Sequence, residues 1–178
     1  MPRVGSLLTL LVAALLAAAA AAAAPRAQGP SDAVYRKLCR SIRPQHVQAL
    51  FTGAVAPIRL GGDADCAFSP RGHNADLDGI KVFLRIDDGD RLLWTHRGDH
   101  PYGTFRWLSK SARLAKWGYQ GGRLPSVLDA RRGSFTCTVI PVGAEGLATP
   151  AGGPALVAAR TYAKRLLALC DDVYAAYR

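Results

Sequence analysis

Phe135-Thr136-Cys137-Thr138-Val139-Ile140 sets Phe135, Cys137 and Val139 on one side of an extended chain, the period-two pattern of a strand with one face in a core. Further on, residues 154–177 carry Leu156, Ala159, Ala163, Leu166, Leu167, Cys170 and Tyr174 on one stripe. That spacing predicts a long terminal helix with a single apolar face. Four cysteines allow three pairings; a helix packed on a sheet would bring Cys137 and Cys170 into one core, which favours that pair, and Cys39 then pairs with Cys66 by elimination. Each bridge closes a loop of roughly 30 residues and is worth about 3 kcal/mol through the entropy it removes from the unfolded chain. The expected fold is α+β: an antiparallel sheet with packed N-terminal and C-terminal helices and two disulfides.

Working outward, Ile80-Lys81-Val82-Phe83-Leu84-Arg85-Ile86 alternates as clearly as any stretch in the chain, between a turn at Asp78-Gly79 and an acidic end at 87–90. Cys66-Ala67-Phe68 reads as a short strand that Pro70 stops, residues 54–60 as another, and 126–129 as extended. Ser31-Asp32 caps a first helical piece running through Lys37. Pro44 suits the first position of a second short helix, in which Val47, Leu50 and Phe51 share a face before Gly53 ends it. Residues 104–117 have helical spacing, and 143–153 read as a flexible loop.

At the N-terminus, Arg3 precedes a run from Leu7 to Ala24 that is apolar except for Thr9 and finishes in alanines before Pro25. A basic start, an apolar centre and small residues at the end are the parts of a secretory signal peptide. An uncleaved anchor helix is the alternative for so long a run, but the polyalanine half is weakly hydrophobic. The expected organisation is a signal peptide over 1–24, a short linker over 25–33 and one secreted domain over 34–178. Four cysteines behind such a segment imply an oxidising destination. No pair has C-x-x-C spacing, and the single asparagine, Asn74, is not in a glycosylation sequon. The first cysteine after the apolar run is Cys39, in Arg36-Lys37-Leu38-Cys39, which is not a lipid-attachment context. The net charge of +10 becomes +9 once Arg3 leaves with the signal segment, and such a balance favours anionic surroundings. For an exported chain these are envelope polymers or lipid surfaces rather than nucleic acid.

Chemical motifs are few. Asn74-x-Asp76-x-Asp78-Gly79 resembles the front of an EF-hand loop, but the twelfth position is Arg85 where a bidentate Glu is needed. His96 and His100 flank Asp99, yet Gly98 and Pro101 argue against the helix that would aim both at one metal. Arg97-Gly98-Asp99 is a tripeptide that arises easily by chance. No nucleophile elbow, H-E-x-x-H or P-loop occurs. No catalytic residue, metal ligand or cofactor is therefore expected.

The richest stretch is 106–132, where Arg106, Lys110, Arg113, Lys116, Arg123, Arg131 and Arg132 meet a single acid, Asp129, with Tyr102, Phe105, Trp107, Trp117 and Tyr119 around them. On a helix, Arg106, Lys110, Arg113 and Trp117 share a face. Arg106, Lys110, Arg113, Lys116 and Trp117 are thus the expected ligand-binding residues, for an anionic membrane or acidic polymer. The alternative is an ordinary amphipathic helix with a wet basic side and its tryptophans in the core.

Leu38-Cys39 followed by a helix with Val47, Leu50 and Gly53, then Cys66-Ala67-Phe68-Ser69-Pro70, then Arg132-Gly133-Ser134-Phe135-Thr136-Cys137-Thr138-Val139 and an Ala-rich terminal helix, together resemble a family of actinobacterial secreted proteins and lipoproteins of unknown function. The resemblance spans most of 36–170. It implies a compact domain with an antiparallel sheet and packed helices, related to sensor-like extracellular domains of mycobacterial envelope proteins, and assigns no catalytic residue. This chain departs from the pattern in lacking the lipid-attachment Cys.

The expected protein is therefore a monomeric, non-enzymatic domain, secreted or envelope-associated, that binds an anionic envelope polymer, a lipid surface or another exported protein. Two other functions fit the sequence. One is a small secreted hydrolase with His96 or His100 as base. The other is a protein-binding or inhibitory module.

Overall fold

The computed structural model describes residues 32–60, 65–86, 102–110, 114–133 and 135–177. The expected signal peptide and most of the linker, the acidic end at 87–90, His96, His100, the Arg97-Gly98-Asp99 tripeptide and Arg113 lie outside the described residues.

Two short helices, α1 (Asp32–Arg40) and α2 (Pro44–Gln48), precede seven strands. These are β1 (Arg59–Leu60), β2 (Asp65–Phe68), β3 (Gly79–Ile86), β4 (Thr104–Lys110), β5 (Leu114–Tyr119), β6 (Val127–Arg132) and β7 (Phe135–Val142). The chain then forms α3 (Ala155–Ala176). The strands make one antiparallel sheet in the order β1-β2-β3-β7-β6-β5-β4. The α3 helix lies across β4, β5, β6 and β7, while α1 packs on β2 and α3. This is the expected α+β architecture, with both disulfides in the favoured pairing: Cys39–Cys66 and Cys137–Cys170, each with Cα atoms 5.7 Å apart.

Register explains the core. Antiparallel partners share a face, so Cys66, Val82, Val139, Leu128 and Trp117 form one row across five strands. All five are at most 1% exposed. The α3 stripe closes over this row with Ala159, Tyr162, Ala163, Leu166, Leu169, Cys170, Val173 and Tyr174. Leu156 and Leu167, placed on that stripe by spacing, sit at its margin instead. Phe135 meets Tyr174 edge-on at 5.3 Å and stacks on Tyr177 at 4.6 Å. Tyr162 donates to the Leu50 carbonyl at 2.8 Å, and burial pushes the phenols of Tyr162 and Tyr174 up from their ordinary values.

Three features differ from expectation. First, 104–110 and 114–117 are strand rather than helix: they form most of the β4–β5 pair. Aromatic and β-branched residues (Thr104, Phe105, Trp107) favour a pleated surface, and pairing with β6 decides the matter. Second, only Arg59–Leu60 of the 54–60 stretch is strand, with Val55 making an isolated bridge to Pro70. Third, the 143–153 loop is pinned. The Arg123 guanidinium donates to the carbonyls of Pro150, Gly152 and Gly153, and Leu147 is buried against Phe51. A polar clasp joins the start of α2 to the last turns of α3: the buried Asp172 carboxylate accepts from Arg43 N at 3.0 Å and Arg43 Nε at 2.7 Å, and lies 2.8 Å from His46 Nδ1.

Candidate functional site

The β4–β5 pair lies at the end of the sheet, and among the described residues no strand pairs with the outer edge of β4. Its geometry depends on one bulge. Trp107 pairs with Lys116, but the register then slips, so that Ser109 faces Ala115 and Lys110 faces Leu114. The extra residue puts Lys110 on the same side of the sheet as Trp107, where regular alternation would have put Ser109. The face turned away from α3 therefore gathers Trp107, Lys110, Leu114 and Lys116, with Arg131 opposite Leu114. Trp107 is 42% and Leu114 36% exposed. The Lys116 ammonium lies 4.5 Å and the Lys110 ammonium 5.6 Å from the centre of the Trp107 ring, both within cation–π range.

Arg106 does not join them. It pairs with Trp117 and so lies on the helix-side face, with its guanidinium 5.8 Å from the Tyr119 ring centre. Trp117, expected at the ligand surface, is instead the end of the buried row, edge-on to Tyr119 at 5.6 Å. A helical period would place Trp117 beside Lys110 and Arg113; a strand period places it beside Tyr119 and Ala115, which is why the sequence misassigned it. Trp107, one aromatic among several in the sequence, is among the described residues the tryptophan that reaches solvent. The sequence signal for it was its alternation with Arg106 and Leu108, legible only once a strand is assumed. Arg123, counted with the basic residues, is engaged by the 150–153 carbonyls.

At the turn, Gly103 has φ 77°, and a Cβ there would sit 2.3 Å from the Tyr119 carbonyl oxygen, so only glycine lets the chain enter β4 this close to β5. On the same side of the sheet as Trp107, Asp129, Thr136 and Thr138 are buried, and Thr138 Oγ1 donates to Asp129 Oδ1 at 2.7 Å.

The EF-hand-like turn is organised for structure. Asn74 Oδ1 accepts from Asp76 N at 3.0 Å. Asp76 pairs with Arg59 at 2.7 Å and with Lys81 at 2.9 Å, and these two cations, Lys81 first, hold its carboxyl below the usual carboxylate range. His73, Asp78 and Glu145 bring ligating atoms within 4.8 Å of one another, with His73 Nδ1 3.6 Å from Asp78 Oδ2. They form a solvent-facing group on three turns.

No protein-family model, curated protein or solved structure matches this chain.

Proposed function

We propose that this protein is an exported, non-enzymatic domain whose β4–β5 face docks on an anionic lipid surface of the cell envelope. The observation that carries the reading is the half-exposed Trp107 under two ammonium groups, beside the exposed Leu114. A purely acidic polymer would use only the cations. A bilayer interface takes an indole and an aliphatic side chain between lysines, since the ring sits at the headgroup level while the ammonium groups meet anionic lipid. Export is supported by the basic-then-apolar N-terminal run and by two disulfides, which persist in oxidising compartments. Among the described residues no helix is long and apolar enough to cross a membrane; the attachment proposed for this face is peripheral.

The test is co-sedimentation of the protein with phosphatidylcholine vesicles, with and without phosphatidylglycerol. Binding is expected only to the anionic vesicles and is expected to weaken as salt rises. The double variant Lys110→Glu, Lys116→Glu is expected to lose at least about thirtyfold in affinity, at about 1 kcal/mol for each lysine removed. Binding that ignores both salt and the double reversal would refute the proposal. Sensitivity to the lysines without sensitivity to Trp107→Ala would redirect it to an acidic polymer.

The outer edge of β4, which no strand among the described residues pairs, also supports the protein-binding alternative, since a partner strand could pair there. The bulge and Lys110 on that edge oppose such pairing, because both are devices that discourage edge-to-edge addition.

A further inference from the structure

At the opposite end of the sheet from the hairpin, α1, α2 and the segment 55–58 enclose a cleft of about 410 Å³. Its walls are largely apolar: Ile42, Val47, Val55, Ile58 and Phe68, with Arg40 at the rim. The walls are fixed. Ala56 N donates to Ser69 O and Arg71 N to Ala54 O, both at 2.9 Å, which ties the 54–56 strand-like segment to the end of β2. The Cys39–Cys66 bridge ties α1 to the same strand.

Beside this cleft, and sharing Arg40 with it, lies a second hollow of about 480 Å³ lined by Ala33, Arg36, Lys37, Arg40 and Ser41. Arg36 and Arg40 are one helical turn apart and Lys37 lies between them, so three cations crowd one end of α1. Among the described residues none of the three forms an ion pair. Favourable interaction with the C-terminal end of the helix dipole accounts for part of this placement. It does not account for the apolar cleft that opens directly against Arg40.

We infer that the cleft takes a single-chain anionic amphiphile, a long-chain carboxylate, with its alkyl chain against Ile42, Val47, Ile58 and Phe68 and its carboxylate on Arg40 and the neighbouring cations. The volume lies in the range of small-molecule sites, roughly 300–1,000 Å³, which combine apolar walls with a few polar anchors. Charge complementarity selects the head: three cations that form no ion pair among the described residues attract an acid. The apolar walls select the tail. This site is separate from the hairpin and does not depend on it.

The experiment is calorimetric titration of the full chain with octanoate, decanoate, dodecanoate and dodecanol, all below their aggregation concentrations. Affinity is expected to rise about fourfold per added methylene. Arg40→Gln is expected to weaken dodecanoate at least about tenfold while leaving dodecanol unchanged; Arg40 is exposed, so this variant is expected to fold. Val47→Trp, which fills the cleft, is expected to abolish binding of both. Lys110→Glu, Lys116→Glu is expected to change nothing. Equal affinity for octanoate and dodecanoate would overturn the inference. So would an Arg40→Gln variant that binds dodecanoate as tightly as the native chain, or loss of binding on reversing the hairpin lysines. Inorganic phosphate competing as well as dodecanoate would reduce the site to a bare anion shelf and overturn it too.

Discussion

Trp117→Ala is expected to lower the free energy of unfolding by about 3–5 kcal/mol, the usual cost of truncating a large buried aromatic. Trp107→Ala is expected to stay within about 0.5 kcal/mol, as surface changes do. The two residues stand ten positions apart on paired strands, but register sends them to opposite faces: Trp117 ends the buried row from Cys66, and Trp107 reaches solvent beside Lys116. Trp117→Phe separates volume from polarity. Among the described residues Trp117 Nε1 is buried without a hydrogen-bond acceptor, so losing that donor offsets part of the lost volume, and the variant is expected to cost much less than alanine. Urea midpoints of the three variants at constant m-value check these outcomes. A Trp117→Ala variant as stable as the native chain would mean that β5 presents its other face to α3.

The second large effect concerns the bridges. Replacing all four cysteines by alanine is expected to cost about 6 kcal/mol, at about 3 kcal/mol for each closed loop. That is comparable with the whole stability of an ordinary domain, about 5–15 kcal/mol, so the variant is expected to be largely unfolded at 37 °C. The single-bridge variants are expected to differ in where they loosen. Losing Cys137–Cys170 frees α3 from the centre of the sheet, whereas losing Cys39–Cys66 frees α1 from β2. Hydrogen exchange resolved by segment distinguishes them: protection is expected to fall first in α3 for the former and in 32–48 for the latter. Uniform loss throughout in both would show that neither bridge acts on its own element.

The central strands and the terminal helix were legible because each keeps one period over many residues. Ile80, Val82 and Leu84 alternate without interruption, as do Phe135, Cys137 and Val139, and all are buried. The Cys137–Cys170 pairing was legible from the strand and helix faces, and Cys39–Cys66 from elimination. The hairpin was not legible for a specific reason. A bulge at Trp107–Ser109 breaks the period of two, and the resulting irregular spacing of Arg106, Lys110, Arg113 and Trp117 mimics a period of 3.6. Where a strand carries an extra residue, its face can be read only against the partner strand. The pinned 143–153 loop was hidden for another reason: its order comes from Arg123, some 27 residues before Pro150, and no local pattern reports such a contact. The cleft beside α1 was invisible in the same way, because α1, α2 and the 55–58 segment meet only through the fold.

Trp107, not Trp117, is proposed to meet an anionic partner together with Lys110 and Lys116. The most direct measurement is a nuclear magnetic resonance titration of the labelled protein with anionic lipid bicelles, following the indole N–H signals of Trp107 and Trp117 and the backbone amides of β4, β5 and α1. Shifts and broadening are expected at the Trp107 indole and at the amides of Lys110, Leu114 and Lys116, with the Trp117 indole unmoved. Perturbation confined to α1, or none at the Trp107 indole, would contradict it.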